Sequence, residues 1–371
     1  MTLHATTETR RPERYVLFGD GDSPHLLKWA RALAPQVDLW AASSRGFASG
    51  FDGVLAPERR LALATRPNVA GGNIGLLREL PRLARWLREV QADWIHAHYL
   101  SSHGTLAWAA RGLYRVPGRL VGSAWGSDIL VAPVHSAALR WATSRVLRAC
   151  TLTTSDSQVM ATRMRELGAR EVMVFPFGLE AMPDANPNKE SWLFFANRGL
   201  EPIYAPQRVL QAFASVAAWQ PQARLVVAND GSLRGALEQQ TAAMGLAGRV
   251  QFTGRLDPET QDRCYARAQW YLSLPASDSV SVSVLEAMAH GCVPLLCDLA
   301  ANRELVRDGD NGLIVSGANT LEHTVLQRML GRAASIARDN RDWVRQHGLF
   351  EPCVRQFLAR LRVSPAPTLR R

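Results

Sequence analysis

Two carboxylates, Asp278 and Glu286, lie eight residues apart and flank a run of alternating serine and valine that opens a helical pattern. Small hydroxyl side chains at a helix start suit an anion such as a diphosphate. The first backbone N–H groups of a helix lack intrahelical acceptors, and the helix dipole is positive at that end. The carboxylates can then accept hydrogen bonds from sugar hydroxyls. The segment therefore predicts a site for a ligand that carries phosphate and hydroxyl groups.

The same residues also fit a purely structural pattern. Ser283-Val-Leu-Glu286 matches a capping box, in which the serine accepts from a first-turn amide and the glutamate reaches back to the serine amide. Both interpretations stay open on this pattern alone.

The elements that must position these residues follow from the apolar runs. Short runs rich in valine, leucine and aromatic residues alternate with helical patterns, first from Tyr15 to Phe175 and then from Trp192 to Cys297. This alternation is typical of doubly wound, mainly parallel sheets. Ligands of such sheets bind beyond the carboxyl ends of the strands.

A stretch without apolar periodicity, 180–191, separates the two series and predicts a linker. We therefore expect an α/β protein with an N-terminal Rossmann-like domain at 14–180 and a C-terminal Rossmann-like domain at 190–345, facing each other across a cleft. A C-terminal helix and tail would occupy 346–371.

The run from Leu285 to Pro294, followed by Asn311-Gly-Leu-Ile-Val315, resembles the donor-site signature of retaining GT-B glycosyltransferases. The most similar group is the large nucleotide-sugar family numbered four, also called glycosyl transferases group one. The resemblance implies a hexose transfer from a nucleotide diphosphate sugar to a hydroxyl acceptor, with neither metal nor cofactor. Members of the family often build polysaccharides, lipopolysaccharide or other glycolipids, which makes a lipid-linked or polysaccharide-precursor acceptor reasonable.

The resemblance also assigns the donor side. It implies that Glu286 holds the ribose, that Asp278 contacts the transferred sugar where the family usually has glutamate, and that Arg198 grips the phosphates. The family lysine that follows the arginine is missing here; Tyr204 stands nearest its place, and Arg208 is the candidate for replacing its charge. The predicted donor-binding residues are Glu286, Asp278, Arg198, Ser281, Ser283, Val284, Gly231 in a glycine-containing turn, Arg255 after a strand, and Arg208.

On the acceptor side, His98 follows an apolar strand and could act as an acid, a base or a phosphate ligand, or simply be satisfied locally. Trp125 stands where the family commonly has histidine, so Asp128 becomes the better candidate for receiving the acceptor proton. The predicted catalytic residues are Asp128, His98 and Arg198, and the predicted acceptor-binding residues are Gly21, His25, His98 and Trp125.

The formal net charge is +10, and arginine supplies nearly all of the positive charge. Segment 73–91 combines apolar residues at helical spacing with four arginines and has Pro81 inside it. It fits either a helix lying on an anionic membrane or an ordinary helix with its apolar face on the sheet. Leu139 to Arg148 is a second basic stretch, and Arg370-Arg371 ends the chain. No nucleic-acid-binding motif accompanies the charge, so nucleic acid is not an expected partner.

Other features of the sequence limit the possible functions. Five cysteines without ligand spacing disfavour a zinc site or a disulfide framework. No apolar run reaches the roughly 18 residues of a membrane span, and 1–14 lacks the apolar core of a secretory signal. We expect a cytoplasmic protein, either free or peripheral on the inner face of the cell membrane.

Two rival functions remain. A nucleotide-sugar epimerase of the same fold would convert a donor without an acceptor, and a non-enzymatic membrane-associated binding protein would not depend on Glu286 or Arg198. A nicotinamide dehydrogenase is disfavoured, because the first turn reads Gly19-Asp-Gly-Asp-Ser-Pro24 instead of the dinucleotide fingerprint.

Overall fold

The computed structural model describes residues 13–65, 74–317 and 320–364. Within these residues the chain divides into two compact units. The first unit takes its residues from Met1–Ser155, Ala161–Met173 and Val354–Arg371, and the second from Asp156–Met160 and Val174–Cys353. The predicted Arg370-Arg371 tail lies outside the described residues.

The first unit is built on a seven-stranded sheet with strand order β3-β2-β1-β4-β5-β6-β7. Its strands are β1 (Arg14–Gly21), β2 (Asp38–Phe47), β3 (Arg60–Ala62), β4 (Trp94–His98), β5 (Arg119–Ser123), β6 (Cys150–Ser155) and β7 (Val172–Val174). The helices along this part of the chain are α1 (Pro24–Leu33), α2 (Ile74–Arg78), α3 (Leu80–Val90), α4 (Thr105–Tyr114), α5 (Ser127–Leu130), α6 (Ala132–His135), α7 (Ala137–Ala149) and α8 (Gln158–Glu166). The pairings from β3 through β6 are parallel.

The basic segment predicted at 73–91 forms α2 and α3, apart from Asn73, which lies outside the described residues. Pro81 occupies the first turn of α3, where a proline is tolerated because that amide has no intrahelical acceptor. The apolar side of α3 is buried, with Leu83 and Leu87 fully enclosed, and the arginines of the segment are exposed. The apolar face therefore packs inside the unit, as the ordinary-helix interpretation predicted. The alternative interpretation, in which this apolar face contacts lipid, is wrong.

The second unit contains a six-stranded sheet with strand order β10-β9-β8-β11-β12-β13. Its strands are β8 (Glu190–Ala196), β9 (Arg224–Ala228), β10 (Val250–Gly254), β11 (Ala268–Ser273), β12 (Val293–Cys297) and β13 (Leu313–Val315). The remaining helices are α9 (Pro206–Ala217), α10 (Arg234–Ala243), α11 (Pro258–Arg267), α12 (Val282–Ala289), α13 (Ala300–Leu305), α14 (His323–Gly331), α15 (Ala333–His347) and α16 (Phe350–Val363). All five pairings in this sheet are parallel.

The second sheet is buried on both faces. Phe194 and Trp270 belong to the apolar cluster on one face, and their neighbours Phe195 and Tyr271 belong to the cluster on the other. Because successive residues of a strand point to opposite faces, a strand covered on both sides reads as a continuous apolar run. This is the signal that made these strands predictable.

Each sheet has one point where the strand order reverses. In the first sheet the reversal lies between β1 and β4, and in the second it lies between β8 and β11. Ligands of open α/β sheets bind at the carboxyl ends of the strands at such points. The carboxyl ends of these four strands and the segments that follow them carry several of the predicted site residues, namely His25, His98, Arg198 and Asp278.

Candidate functional site

Arg198 is the centre of a polar group at the switch point of the second unit. Its Nη2 lies 2.5 Å from Asp278 Oδ2, and its Nη1 donates to Ser281 Oγ at 2.6 Å. The guanidinium carbon lies 4.5 Å from the centre of the Tyr204 ring. Tyr204, which stands nearest the position where the resemblance predicted a lysine, therefore provides a cation–π contact, and the arginine is held in a fixed orientation.

The Arg198–Asp278 pair is ionised. Burial raises the pKa of the Asp278 carboxyl, whereas the Arg198 charge acts in the opposite direction. Burial lowers the pKa of Arg198 and the Asp278 charge raises it, with a net upward result. Because a guanidinium stays charged in proteins and directly faces this carboxyl, we assign the ionised pair.

Helix α12 begins beside this arginine. Ser281 is its N-cap residue and makes no side-chain capping hydrogen bond. The Ser281 and Ser283 hydroxyl oxygens lie 2.7 Å apart, and Ser283 Oγ is 3.3 Å from Arg198 Nη1. The capping-box interpretation is therefore wrong, because Ser283 lies inside the helix and its hydroxyl turns to Arg198. A guanidinium and a helix N-terminus converge here, which suits a diphosphate.

Glu286 is oriented by a chain of buried hydrogen bonds that reaches back to β8. The Tyr265 hydroxyl donates to Glu286 Oε2 at 2.9 Å and accepts from Asn197 Nδ2 at 2.8 Å. The Tyr271 hydroxyl donates to Asn197 Oδ1 at 2.8 Å. Burial raises the pKa of both tyrosines, so the phenols stay protonated and can donate. Asn197 precedes Arg198, and the network therefore couples the two predicted donor-site residues.

Asp156 anchors the loop that carries Asp278, and the sequence reasoning missed it. The Ser279 hydroxyl donates to the Asp156 carboxyl, and the Ser157 hydroxyl oxygen lies 2.9 Å from that of Ser279. Burial raises the pKa of Asp156 to about 7. The available signal was the polar triplet that starts with Ser155 at the end of β6, since strand-end loops position functional groups.

A turn after β9 contacts the loop that carries Arg198 through backbone hydrogen bonds. Leu200 N donates to Asp230 O at 3.0 Å, and Leu233 N donates to Leu200 O at 3.0 Å. A Cβ on Gly231 would lie 2.4 Å from Leu200 O, so only glycine fits this approach. The predicted Gly231 therefore acts through the loop backbone.

The other predicted donor-side residues have different surroundings. Arg208 is half-buried, and its Nη1 lies 3.4 Å from Pro275 O, on the loop that leads to Asp278. Val284 is fully buried in α12. Arg255 follows β10 and is exposed, with no recorded contact to Arg198 or Glu286 in the part of the chain that the structure describes.

In the first unit, Trp125 connects the predicted acceptor-side residues. Its Nε1–H donates to His98 Nδ1 at 3.1 Å, and its ring centre lies 4.6 Å from that of His25. Asp128 accepts from Trp125 N at 2.9 Å and from Leu100 N at 2.8 Å. Burial raises the pKa of Asp128 to about 6. Asp128 thus fixes the backbone of two loops.

The Trp125 contact sets the tautomer of His98. An indole N–H can only donate, so Nδ1 accepts and the proton of the neutral ring sits on Nε2. Burial lowers the pKa of His98 well below its ordinary value. Nε2 has no hydrogen-bond partner among the described residues. His98 is therefore a neutral ring with a buried, unpartnered Nε2–H donor, and Nδ1 is not available as a base.

Gly21 has a packing role. A Cβ there would lie 2.3 Å from Gly46 O, and Gly21 N donates to Ser43 Oγ at 2.8 Å. Close approach of β1 to β2 explains the glycine, and its predicted part in acceptor binding stays a prediction.

Across 13–65, 74–317 and 320–364, no group of three or more His, Cys, Asp or Glu side chains is placed to hold a metal ion. In the same residues, no helix combines the length and the apolar character needed to cross a bilayer.

Comparison with known proteins completes the description. Residues 15–157 match the family model described as Glycosyl transferase 4-like, and residues 180–325 match the model described as Glycosyl transferases group 1.

A D-inositol 3-phosphate glycosyltransferase of Rhodococcus jostii (strain RHA1) is 30% identical over 165 residues, which are 41% of this chain and 36% of the relative. An alpha-monoglucosyldiacylglycerol synthase of Streptococcus pneumoniae (strain ATCC BAA-255 / R6) is 27% identical over 124 residues, 33% of this chain and 28% of the relative. The chain thus matches about a third of the length of these curated relatives.

A solved structure of Anabaena HepE in complex with UDP and glucose aligns with a TM-score of 0.77 at 18% identity, covering 95% of this chain and all of HepE. At this identity the likeness concerns the fold. The predicted pair of parallel α/β domains is confirmed by the sheets of both units and by this alignment. With the two family models matched in order along the chain, this protein belongs to the GT-B glycosyltransferases of the glycosyl transferases group 1 family.

Proposed function

We propose that the chain is a retaining, metal-independent glycosyltransferase that moves a hexose from a nucleotide diphosphate sugar to the hydroxyl of a lipid-linked or polysaccharide-precursor glycan. The observation that carries the proposal is the convergence of Arg198, the α12 N-terminus and Glu286 at the switch point between β8 and β11. A cation beside a helix N-terminus binds diphosphate, and a carboxylate within the same helix can hold ribose hydroxyls. The complex of HepE with UDP and glucose supports a nucleotide-sugar donor.

The donor diphosphate would bind at Arg198 and the first turn of α12. In the reaction, the bond between the sugar C1 and the diphosphate oxygen breaks, and negative charge develops on that oxygen. The guanidinium and the α12 amides would stabilise this charge, a contribution that is usually the largest single one in such sites. The acceptor oxygen forms the new bond to C1 on the same face, and its proton passes to the departing phosphate oxygen.

Glu286 and Asp278 would provide the recognition. The Tyr265 hydrogen bond fixes the orientation of the Glu286 carboxylate, and the ribose hydroxyls would donate hydrogen bonds to this carboxylate. Asp278 is shorter than the usual glutamate and is already bonded to Arg198. Its remaining acceptor capacity would face the transferred sugar, and the shorter side chain would change which sugar fits.

In the first unit, His98 would donate its Nε2–H to the acceptor or to the sugar, because Trp125 occupies Nδ1. Asp128 would be the other candidate for receiving the acceptor proton, on a carboxylate lone pair that neither of the two bound amides uses. One curated relative is named a D-inositol 3-phosphate glycosyltransferase and another an alpha-monoglucosyldiacylglycerol synthase, and these names support a phosphorylated or lipid-borne acceptor.

A donor panel tests the proposal. The purified chain is mixed with UDP-, GDP-, ADP- and dTDP-linked hexoses, and thermal unfolding is followed together with sugar transfer to lipid-extract acceptors. A bound donor raises the apparent stability with concentration, and we expect one nucleotide class to do so and to support transfer. A panel that yields neither shift nor transfer would contradict the proposal, and conversion of a donor to an isomer without acceptor would establish the epimerase in its place.

A further inference from the structure

One stretch of the chain in the first unit carries exposed arginines and no exposed acid. From Trp94 to Ser155 the chain carries six arginines and one acidic residue, Asp128, which is buried. Three of the six arginines, Arg140, Arg145 and Arg148, are exposed on α7. In the part of the chain that the structure describes, no recorded ion pair joins any of these three to a carboxylate.

Apolar side chains lie among these arginines. Trp141 on α7 is 55% exposed, and Val134 on the adjoining α6 is 63% exposed. The Arg145 guanidinium lies 5.4 Å from the Trp141 ring centre, and the ring of Trp108 on α4 packs against Trp141 at 6.0 Å. We call Arg140, Trp141, Arg145 and Arg148, together with Val134, the α7 face.

The α7 face is rigidly supported. Thr143, Val146 and Leu147 on the opposite side of the helix are buried in the unit. Trp141, Arg145 and Arg148 follow one another at spacings of four and three residues, which places them along one side of a helix. The exposed side chains are therefore presented together from a helix that is already anchored.

We propose that the α7 face docks on an anionic lipid bilayer. Arginines are attracted to an anionic leaflet, and tryptophan prefers the headgroup level, where its ring is amphipathic. A helix with basic and apolar side chains on its outer side lies in the plane of the interface. The exposed valine and tryptophan favour a bilayer over a nucleic acid, which would use the arginines alone.

The proposal differs from a membrane contact through α3, whose apolar side is buried. Arg82, Arg85 and Arg88 of α3 are as exposed as the arginines of the α7 face. Glu79 and Glu89 accompany them, and Glu79 pairs with Arg82. This segment provides a matched control, since it carries the same number of removable charges, has acids among them, and has one exposed apolar neighbour, Leu77 of α2.

Co-sedimentation of the full chain with vesicles tests the proposal, and needs no donor or acceptor. The vesicles contain either phosphatidylcholine alone or phosphatidylcholine with phosphatidylglycerol in equal parts, at low and high salt. We expect binding only to the anionic vesicles, and weaker binding at high salt.

Replacing Arg140, Arg145 and Arg148 by glutamine should lower the partition coefficient between vesicles and water by roughly a hundredfold, at about fivefold for each arginine. Trp141→Ala should lower it further, and glutamine at Arg82, Arg85 and Arg88 should leave it near that of the wild type.

Several results would overturn the proposal. One is equal binding by the wild type and the α7 variant, and another is an equal loss in the α3 control. Equal binding to both kinds of vesicle would also overturn it, because no anionic selectivity would remain. Capture of duplex DNA or RNA by the α7 face without binding to either vesicle would assign the face to nucleic acid. Thermal unfolding of every variant shows that each one is folded, and these surface positions are expected to shift the midpoint little.

Discussion

Arg198 Nη2 and Asp278 Oδ2 lie 2.5 Å apart although 80 residues separate them in the chain. The topology of the second sheet produces this contact. Strands β8 and β11 are neighbours, with Phe194 paired to Trp270 and Phe195 to Tyr271, so the segments that leave their carboxyl ends start side by side. The arginine is thus oriented by the folded protein itself, which is the preorganisation that electrostatic catalysis requires.

Replacing Arg198 by glutamine should lower turnover with a nucleotide sugar by about a hundredfold to a thousandfold, the range seen when one stabilising group of a developing oxyanion is lost. Steady-state kinetics with saturating acceptor measure the effect. Arg263→Gln is the matched control, because Arg263 is exposed and pairs with Glu259 on the surface of α11. Equal turnover of the two variants would remove Arg198 from the donor site.

The Tyr265 hydrogen bond to Glu286 predicts coupling between these residues. Tyr265→Phe should raise the donor KM by about tenfold to a hundredfold, since a hydrogen bond to a charged group contributes about 1.5–3 kcal/mol. Glu286→Gln should raise it at least as much. If the tyrosine acts by orienting the carboxylate, the double variant should be little worse than Glu286→Gln alone, because residues of one network are not additive. Strictly additive losses would show that Tyr265 has a separate role.

The donor-site loops can be predicted from the sequence because the apolar runs that form the strands have clear ends. Arg198 follows a strand buried on both faces, and Asp278 follows another, so the apolar pattern predicts both as residues of strand-end segments. The capping-box pattern predicts the start of α12 two residues too late, because serine recurs at every second position there and any of these serines is a favourable N-cap residue.

The partners of other site residues cannot be read from the sequence. Tyr265 is the single buried residue of α11, a helix of mostly polar residues, and only the folded chain shows that its hydroxyl meets Glu286. Asp156 meets Ser279 across 123 residues of sequence. Long-range contacts of this kind depend on strand order, which the pattern of apolar residues does not specify.

The Trp125 contact predicts a single tautomer for His98. In histidine labelled with ¹⁵N, the Nδ1 resonance of His98 should be that of an unprotonated nitrogen and the Nε2 resonance that of a protonated one. Neither should titrate near pH 6.5, because burial lowers the His98 pKa well below that value. Trp125→Phe removes the donor and should bring the second tautomer into the spectrum. Trp219→Phe, in the second unit, is the control, and a protonated Nδ1 in the wild type would contradict the assignment.

Asp156 predicts a pH-dependent stability. Its pKa is about 7 in the folded chain and about 3.9 in an unfolded one, so the folded state binds the extra proton between these values. The contribution of Asp156 to stability is fully present below its unfolded pKa and is lost as the pH rises through its folded pKa.

Asparagine imitates the neutral acid, and Asp156→Asn should therefore gain in unfolding midpoint relative to the wild type as the pH rises from roughly 4 to roughly 8. Thermal unfolding across this range measures the difference, with Asp342→Asn as control, because the Asp342 side chain is 50% exposed and pairs with Arg345 on α15. The gain should be about 2–4 °C for each kcal/mol in a unit of this size, and a difference that stays constant with pH would mean that Asp156 is ionised throughout.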